Sequence, residues 1–523
     1  MRSDRLILLV LTAALTSSFM PQGARAAESI KCKLEWQAAV DRGAADGYRR
    51  FIKLCPASPR VRDARAILVR LAASVAPPAE APPPIVRRPR PTESVSAPLP
   101  PPRIVVPTAP IPPVSADDAL NRAVAAYNAK NNADAFRLGT QACNAGKARA
   151  CNLVGVLFEI GGSVPVNLPR AAQLYKQACD TGWPTGCANL GTLYDQGRGV
   201  LKDQPRAAQL YKQGCDGGST AACTNLGLLY ETGQGVPADI ARSAQLYKQG
   251  CDGGSAEGCT NLGVLNEFGK GGPVDLTRAA QLYRQGCDGR HAVGCTNLGY
   301  LSEVGRGLPI NLATSVQLYQ RGCDGGVARA CNNLGNMNEF GRGVAVNTAA
   351  AAQLYAKACD GGYATACTNS GYMNEFGRGI PINLSLAAWQ YQRACDRNDA
   401  RGCNNLGLMN QNGKGVPINL VLAVQFFTKG CVSNYFAACT NQGFMNEFGK
   451  GVSINLAEAV RLYRRACDGN NSQGCSNLAV RYEYGGGVTA NRASAIELYR
   501  KALRLEPSLQ HAKDGLKRLG VTP

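Results

Sequence analysis

Histidine is nearly missing from this 523-residue chain: only His291 and His511 occur. Two isolated imidazoles cannot supply the ligand cluster of a zinc hydrolase. No Cys-x-x-Cys spacing exists, which removes the usual dithiol redox motif. After the first 26 residues no apolar stretch reaches about 18 residues, the length a membrane-spanning helix needs. No alternating strand pattern is visible either. The many Gly-x-Gly turns therefore do not read as phosphate-cradling loops, which need a strand before them.

What is present begins with an export pattern. Arg2 and Arg5 precede the apolar run from Leu6 to Leu15, and Ala24-Arg25-Ala26 offers small residues for cleavage before Ala27. Residues 1–26 are expected to be a secretory signal, with an uncleaved anchor as the rival. The chain carries 22 cysteines, an even number suited to full pairing in an oxidising compartment. Residues 27–75 read as a small helical unit, with Trp36, Ala39 and Val40 at helical spacing. Cys32 and Cys55 are its only cysteines and are expected to pair. Residues 76–116 form a linker, with 15 prolines between positions 77 and 113. Such a stretch favours an extended polyproline conformation and reads as a spacer. The formal charge of +20 is spread along the chain. It reads as a solvated basic face, with an anionic envelope polymer as a possible contact and no nucleic acid.

Residues 117–488 repeat. One cysteine series falls at 143, 179, 215, 251, 287, 323, 359, 395, 431 and 467. A second follows eight residues later in every copy, and both advance by 36 without insertion. Ten such copies mark a solenoid. In one copy, Cys223 to Glu231 reads as a first helix with Leu226, Leu229 and Tyr230 on one face. Gly233 and Gly235 break it, and Ala241 to Asp252 reads as a second helix. Neither helix buries its face alone, so stacked neighbours must supply the core. Gly227 recurs mid-helix in nine copies, with Ala479 in the tenth. Because glycine there costs about 1 kcal/mol against alanine, the position is expected to be a close helix approach.

Each first cysteine ends a second helix, and its follower opens the next first helix. That places both at facing ends of an antiparallel hairpin. Local pairing is expected: Cys143–Cys151, Cys179–Cys187, Cys215–Cys223, Cys251–Cys259, Cys287–Cys295, Cys323–Cys331, Cys359–Cys367, Cys395–Cys403, Cys431–Cys439 and Cys467–Cys475. Zinc is the rival, and a spacing of eight suits it poorly.

The string Arg206-Ala-Ala-Gln-Leu-Tyr211-Lys-Gln-Gly-Cys215-Asp-Gly-Gly218, then Ala222-Cys-Thr-Asn-Leu-Gly227 and Gly233-Gln-Gly235-Val236, resembles the Sel1-like repeat. With cysteines at these two positions the array is similar to the secreted Helicobacter cysteine-rich proteins. The resemblance covers residues 117 to about 505. It implies an all-α, right-handed superhelical solenoid of ten 36-residue repeats within the tetratricopeptide-like superfamily, with one disulfide per repeat. It also implies an adaptor that binds proteins and needs no cofactor. Members of the cysteine-rich group have been linked to penicillin binding or β-lactamase activity, which gives the alternative function: a cell-wall-active hydrolase. This chain has neither Ser-x-x-Lys nor Lys-Thr-Gly. Residues 489–523 resemble a tetratricopeptide-like cap.

Candidate partner contacts come from the middle copies. The Tyr230 position becomes Asn266, Asn338, Asn374, Asn410 and Asn446. Glu267, Glu339, Glu375 and Glu447 follow, then Phe268, Phe340, Phe376 and Phe448. An amide, a carboxylate and a ring at each interval can read an extended peptide or sugar chain. The competing reading makes Phe core and pairs Glu with Arg342, Arg378 or Lys450. A second asparagine row, from Asn189 to Asn477, reads as a hydrogen-bonding ladder between repeats. The expected function is an exported interaction scaffold, periplasmic or secreted, for a protein or peptide partner, with no membrane span once the signal is removed.

Overall fold

The computed structural model describes residues 115–162 and 164–522. The expected signal, the 27–75 unit with Cys32–Cys55 and nearly all of the proline-rich segment lie outside the described residues. Within them the chain forms 23 α-helices and no strand. An entry pair, α1 (Ala116–Asn128) and α2 (Asn132–Asn144), precedes a strict alternation. From α3 (Ala148–Ile160) and α4 (Leu168–Asp180) onward, each repeat contributes an A helix and a B helix, both 13 residues long. The tenth B helix, α22 (Arg492–Leu505), has 14, and α23 (Gln510–Arg518) closes the array.

The equal lengths follow from equal stop and start signals. Helix α15 (Ala364–Phe376) ends at Gly377, which has φ 65° and caps the helix in the left-handed region. Six residues later Asn383 opens α16 (Leu384–Asp396), its Oδ1 accepting the Leu386 N–H at 3.0 Å. An Asn or Asp occupies this N-cap before every B helix. The return from B to the next A takes a three-residue turn.

Packing is sequential, each helix lying antiparallel on its chain neighbours, as short connections require. The core has one buried ring per repeat, tyrosine in nine and Phe427 in the other, packed among leucine, methionine and small residues. Tyr391 on α16 is fully buried, and its ring lies against Gly371 of α15. A Cβ on Gly371 would stand 2.6 Å from that ring. The glycine row is therefore a seat for the tyrosine row.

Ten disulfides join cysteines eight apart, with Cα–Cα distances of 4.4 to 4.6 Å. No described cysteine is free. The first bridge fastens α2 of the entry pair to the first A helix. Each of the others runs from the end of a B helix to the start of the next A helix, fastening one repeat to its successor. Such bonds persist where the surroundings are oxidising.

Candidate interaction face

On an A helix the second cysteine of each pair is a convenient origin. Positions three, four and seven residues beyond it face inward: Leu406, Gly407 and Asn410 on α17 (Ala400–Asn412) are all buried. Residues two before the cysteine, then two, five and nine after it, form the opposite stripe, spaced four, three and four apart. On α15 these are Thr365, Asn369, Tyr372 and Phe376, and on α17 Arg401, Asn405, Leu408 and Asn412. The stripe carries the exposed rings. Position eight, the glutamate, lies between the two faces.

That glutamate is a structural rung. Glu339 on α13 (Ala328–Phe340) accepts a 2.7 Å hydrogen bond from the Tyr355 hydroxyl of the following B helix. It also pairs at 2.7 Å with Arg378, 39 residues onward in the next repeat's turn. The same tyrosine and cation meet Glu159, Glu231, Glu267, Glu303 and Glu375. Burial and the facing carboxylate together push the Tyr355 phenol far above its ordinary range. Tyr211, whose hydroxyl meets Thr192 instead, is pushed up to about 12 by burial.

Where the rung changes, its partners change with it. Gln411 replaces the glutamate, Phe427 replaces the tyrosine, and Lys450, the cation 39 residues on, has no carboxylate partner among the described residues. Asp195 is one methylene too short to bridge; it accepts from Gln204, and Gln234 stands where a cation otherwise would. At the C-terminal end Glu447 turns to Arg481, because Gly486 occupies the cation position.

The sequence-based candidates thus separate. Asn266, Asn338, Asn374, Asn410 and Asn446 point inward, each amide donating to the carbonyl four residues back at 2.8 or 2.9 Å. These amides are turned into the array, because position seven lies one turn beyond the inward-facing position three; Asn374 also donates to Gln390 Oε1 of the following B helix at 3.0 Å. Glu267, Glu339, Glu375 and Glu447 are rungs, pairing with Arg306, Arg378, Lys414 and Arg481. Arg342 serves Glu303, in the preceding repeat. The phenylalanines are not core. Phe268, Phe340, Phe376 and Phe448 are 61%, 61%, 53% and 54% exposed, because position nine continues the open stripe beyond the last buried turn.

The asparagine row at position two makes a ladder in three places. Asn189, Asn369 and Asn441 donate to Asn152, Asn332 and Asn404 of the preceding repeat at 2.8 to 2.9 Å. Both histidines join a similar inter-repeat bond. Thr224, Thr368 and Thr440 bond to the residue before the next A helix, Ser255, Asp399 or Asn471. His291 meets Thr260 in the same way at 2.8 Å, and His511, on α23, meets Ser476 at 2.8 Å. The Ser476–His511 contact resembles a nucleophile–base pair, but Ser476 is fully buried. Among the described residues no cluster of three His, Cys, Asp or Glu side chains is placed to hold a metal ion.

Between α13 and α17 the open stripe encloses a cavity of about 590 Å³. Tyr372, Phe376, Phe340 and Leu408 give it apolar walls, and Asn336, Asn369 and Asn405 supply amides. A second cavity of about 450 Å³ uses the same positions on α19 (Phe436–Phe448) and α21 (Ser472–Tyr484), including Asn441, Phe444 and Phe448. Sequence reading missed the position-five residues altogether. Their signal was a stripe at four–three–four spacing, obscured because Tyr372, Leu408 and Phe444 look like ordinary core.

No curated protein matches the chain. Three solved structures with similar folds are a protective antigen of uropathogenic Escherichia coli with an SLR fold, a Sel1 repeat protein from Oxalobacter formigenes, and Helicobacter pylori cysteine-rich protein B. The first is 23% identical with a TM-score of 0.47, covering 74% of this chain and 90% of its own. The second is 22% identical with a TM-score of 0.43, covering 62% and 92%. The third is 24% identical with a TM-score of 0.21, covering 28% and 98%. The Sel1 repeat model matches ten consecutive segments, 148–182, 184–219, 220–255, 256–291, 292–327, 328–363, 364–399, 400–431, 436–471 and 472–506. Each matched segment is one A and B helix pair. The chain therefore belongs to the Sel1 repeat family, whose fold typically serves as a non-enzymatic scaffold for protein–protein interaction.

Proposed function

We propose that this protein is an exported scaffold, periplasmic or secreted, whose A-helix stripe holds an extended segment of a partner protein. One observation carries the reading. The carboxylates beside the stripe are satisfied internally by tyrosine and cation, while rings on the same surface stay exposed around a cavity. Stability does not require those rings to face water, and contiguous exposed aromatics beside hydrogen-bonding amides suit a binding surface. The disulfides support export, since they lock the array in the compartment where they survive. No helix among the described residues is long and apolar enough to cross a membrane.

Site-specific photo-crosslinking tests the reading. A photoreactive amino acid is placed at Phe376 in the stripe or at Trp389 on a B helix, and cells are irradiated before envelope and medium are fractionated. The expected result is a discrete adduct from position 376 that contains a protein partner, with none from position 389. Equal yields from both positions would sink the proposal.

A further inference from the structure

The charge along the open stripe does not balance. Glu339, Glu375 and Glu447 line the two cavities, but Arg378, Lys414 and Arg481 already neutralise them. Arg401 lines the first cavity with its guanidinium on an amide oxygen, Asn369 Oδ1, at 2.5 Å. Among the described residues it has no carboxylate partner. Arg329, at the same position two repeats earlier, rests on Asn297 Oδ1 in the same way but lines neither cavity, and Lys450 is uncompensated as well. Gln411 stands where its glutamate belongs, and its ammonium rests over the Phe444 ring at 4.8 Å.

Arg401 and Lys450 each stand beside a ring pair, exposed at Tyr372, Phe376 and Phe448 and half-buried at Phe444. Tyr372 and Phe376 have centroids 4.7 Å apart, as do Phe444 and Phe448 two repeats later. The stripe runs past Arg401 in both directions, toward Tyr372 on one side and Phe444 on the other. A ligand chain passing through suits an internal acidic side chain better than a chain end.

We propose that this stripe, resting on the scaffold reading above, selects an extended acidic peptide segment. Its carboxylates meet Arg401 and Lys450, and apolar side chains on either side cover the two ring pairs. Successive A helices stand on the order of 10 Å apart and an extended chain advances about 3.3 Å per residue, which puts the apolar anchors about six residues from one another. The rings supply most of the affinity, because an exposed ion pair alone is weak; the cations supply the selection.

The test uses the full oxidised chain and a random peptide display library. Enrichment of sequences with Asp or Glu between apolar residues is the expected result. A synthetic peptide of that kind weakens about five- to tenfold when its acids become amides. Combined Arg401→Gln and Lys450→Gln substitution removes that difference, and Arg401→Glu turns selection toward Lys and Arg. Both positions are exposed, so retained helix content and unchanged disulfides certify the variants. Enrichment indifferent to acids, or unaltered by the double substitution, overturns the proposal. If neutral apolar peptides bind and are lost on Phe376→Ala with Phe444→Ala, the groove reading survives and the acidic preference falls. If no peptide binds while a chitin oligosaccharide does, both fall.

Discussion

The seat beneath each buried tyrosine leaves no room for a side chain. A methyl on Gly371 would meet the Tyr391 ring at 2.6 Å. Two terms oppose one another. Alanine gains about 1 kcal/mol of helix propensity, and overpacking a filled core costs about 1–3 kcal/mol. The clash is against a fully buried ring, so the cost wins. Gly371→Ala is expected to destabilise the array by about 1–2 kcal/mol in denaturant unfolding; a stabilised variant would show that the ring moves freely. Ala479 at the tenth copy is the exception in the row, at the end where α23 replaces another repeat. The rungs are equally specific. When Gln411 replaces the glutamate, Phe427 loses its hydroxyl in the same rung, so no buried phenol is left without its carboxylate.

Bridges, caps and turns act on whole helices. A closed loop of eight-residue span is worth about 2.5 kcal/mol in the chain-entropy account. Because each bridge joins one helix to the following A helix, its effect depends on where it lies in the row. Replacing Cys323 and Cys331 by alanine is expected to cost about 2–3 kcal/mol and to divide amide-exchange protection into two blocks meeting at that junction. The same change at Cys143 and Cys151 should loosen only the first helices; uniform loss of protection from either variant would contradict this. Helix stops were legible in the sequence because Gly recurs at a fixed offset from the cysteines. The starts were less so: the A helix begins at Thr220 and not Cys223, and the Asn or Asp N-cap of the B helix emerges only in the structure. The binding face was less legible. Asn374 and Phe376 are two residues apart yet face opposite ways. Only their offset from the buried leucine position separates them, and a motif read as one unit hides that offset. The rung was half legible: pairing of the glutamates with cations such as Arg378 is the competing reading of the sequence, but the bond from Tyr355 to Glu339 is set by stacking and is not foreseen there.

At the scale of the whole molecule, identical units make small effects add. Nine buried tyrosines have phenols raised by burial, most of them further by a facing glutamate. Their folded values lie above the unfolded value of about 10, so the stability they contribute is complete below that pH and is lost as pH rises past it. Phenolate absorbance from these nine is therefore expected only together with helix loss, in stronger alkali than a free phenol needs. A single smooth titration with helices intact would mean the rings are accessible. The claim on which scaffold, export and rigid groove all rest is covalent closure of every repeat. Non-reducing peptide mapping of the native protein, alkylated during denaturation, measures it directly. The account predicts no alkylated thiol among the twenty cysteines of the array, with every bridge joining residues eight apart. Alkylated cysteines throughout the array, or bridges between distant repeats, would contradict it.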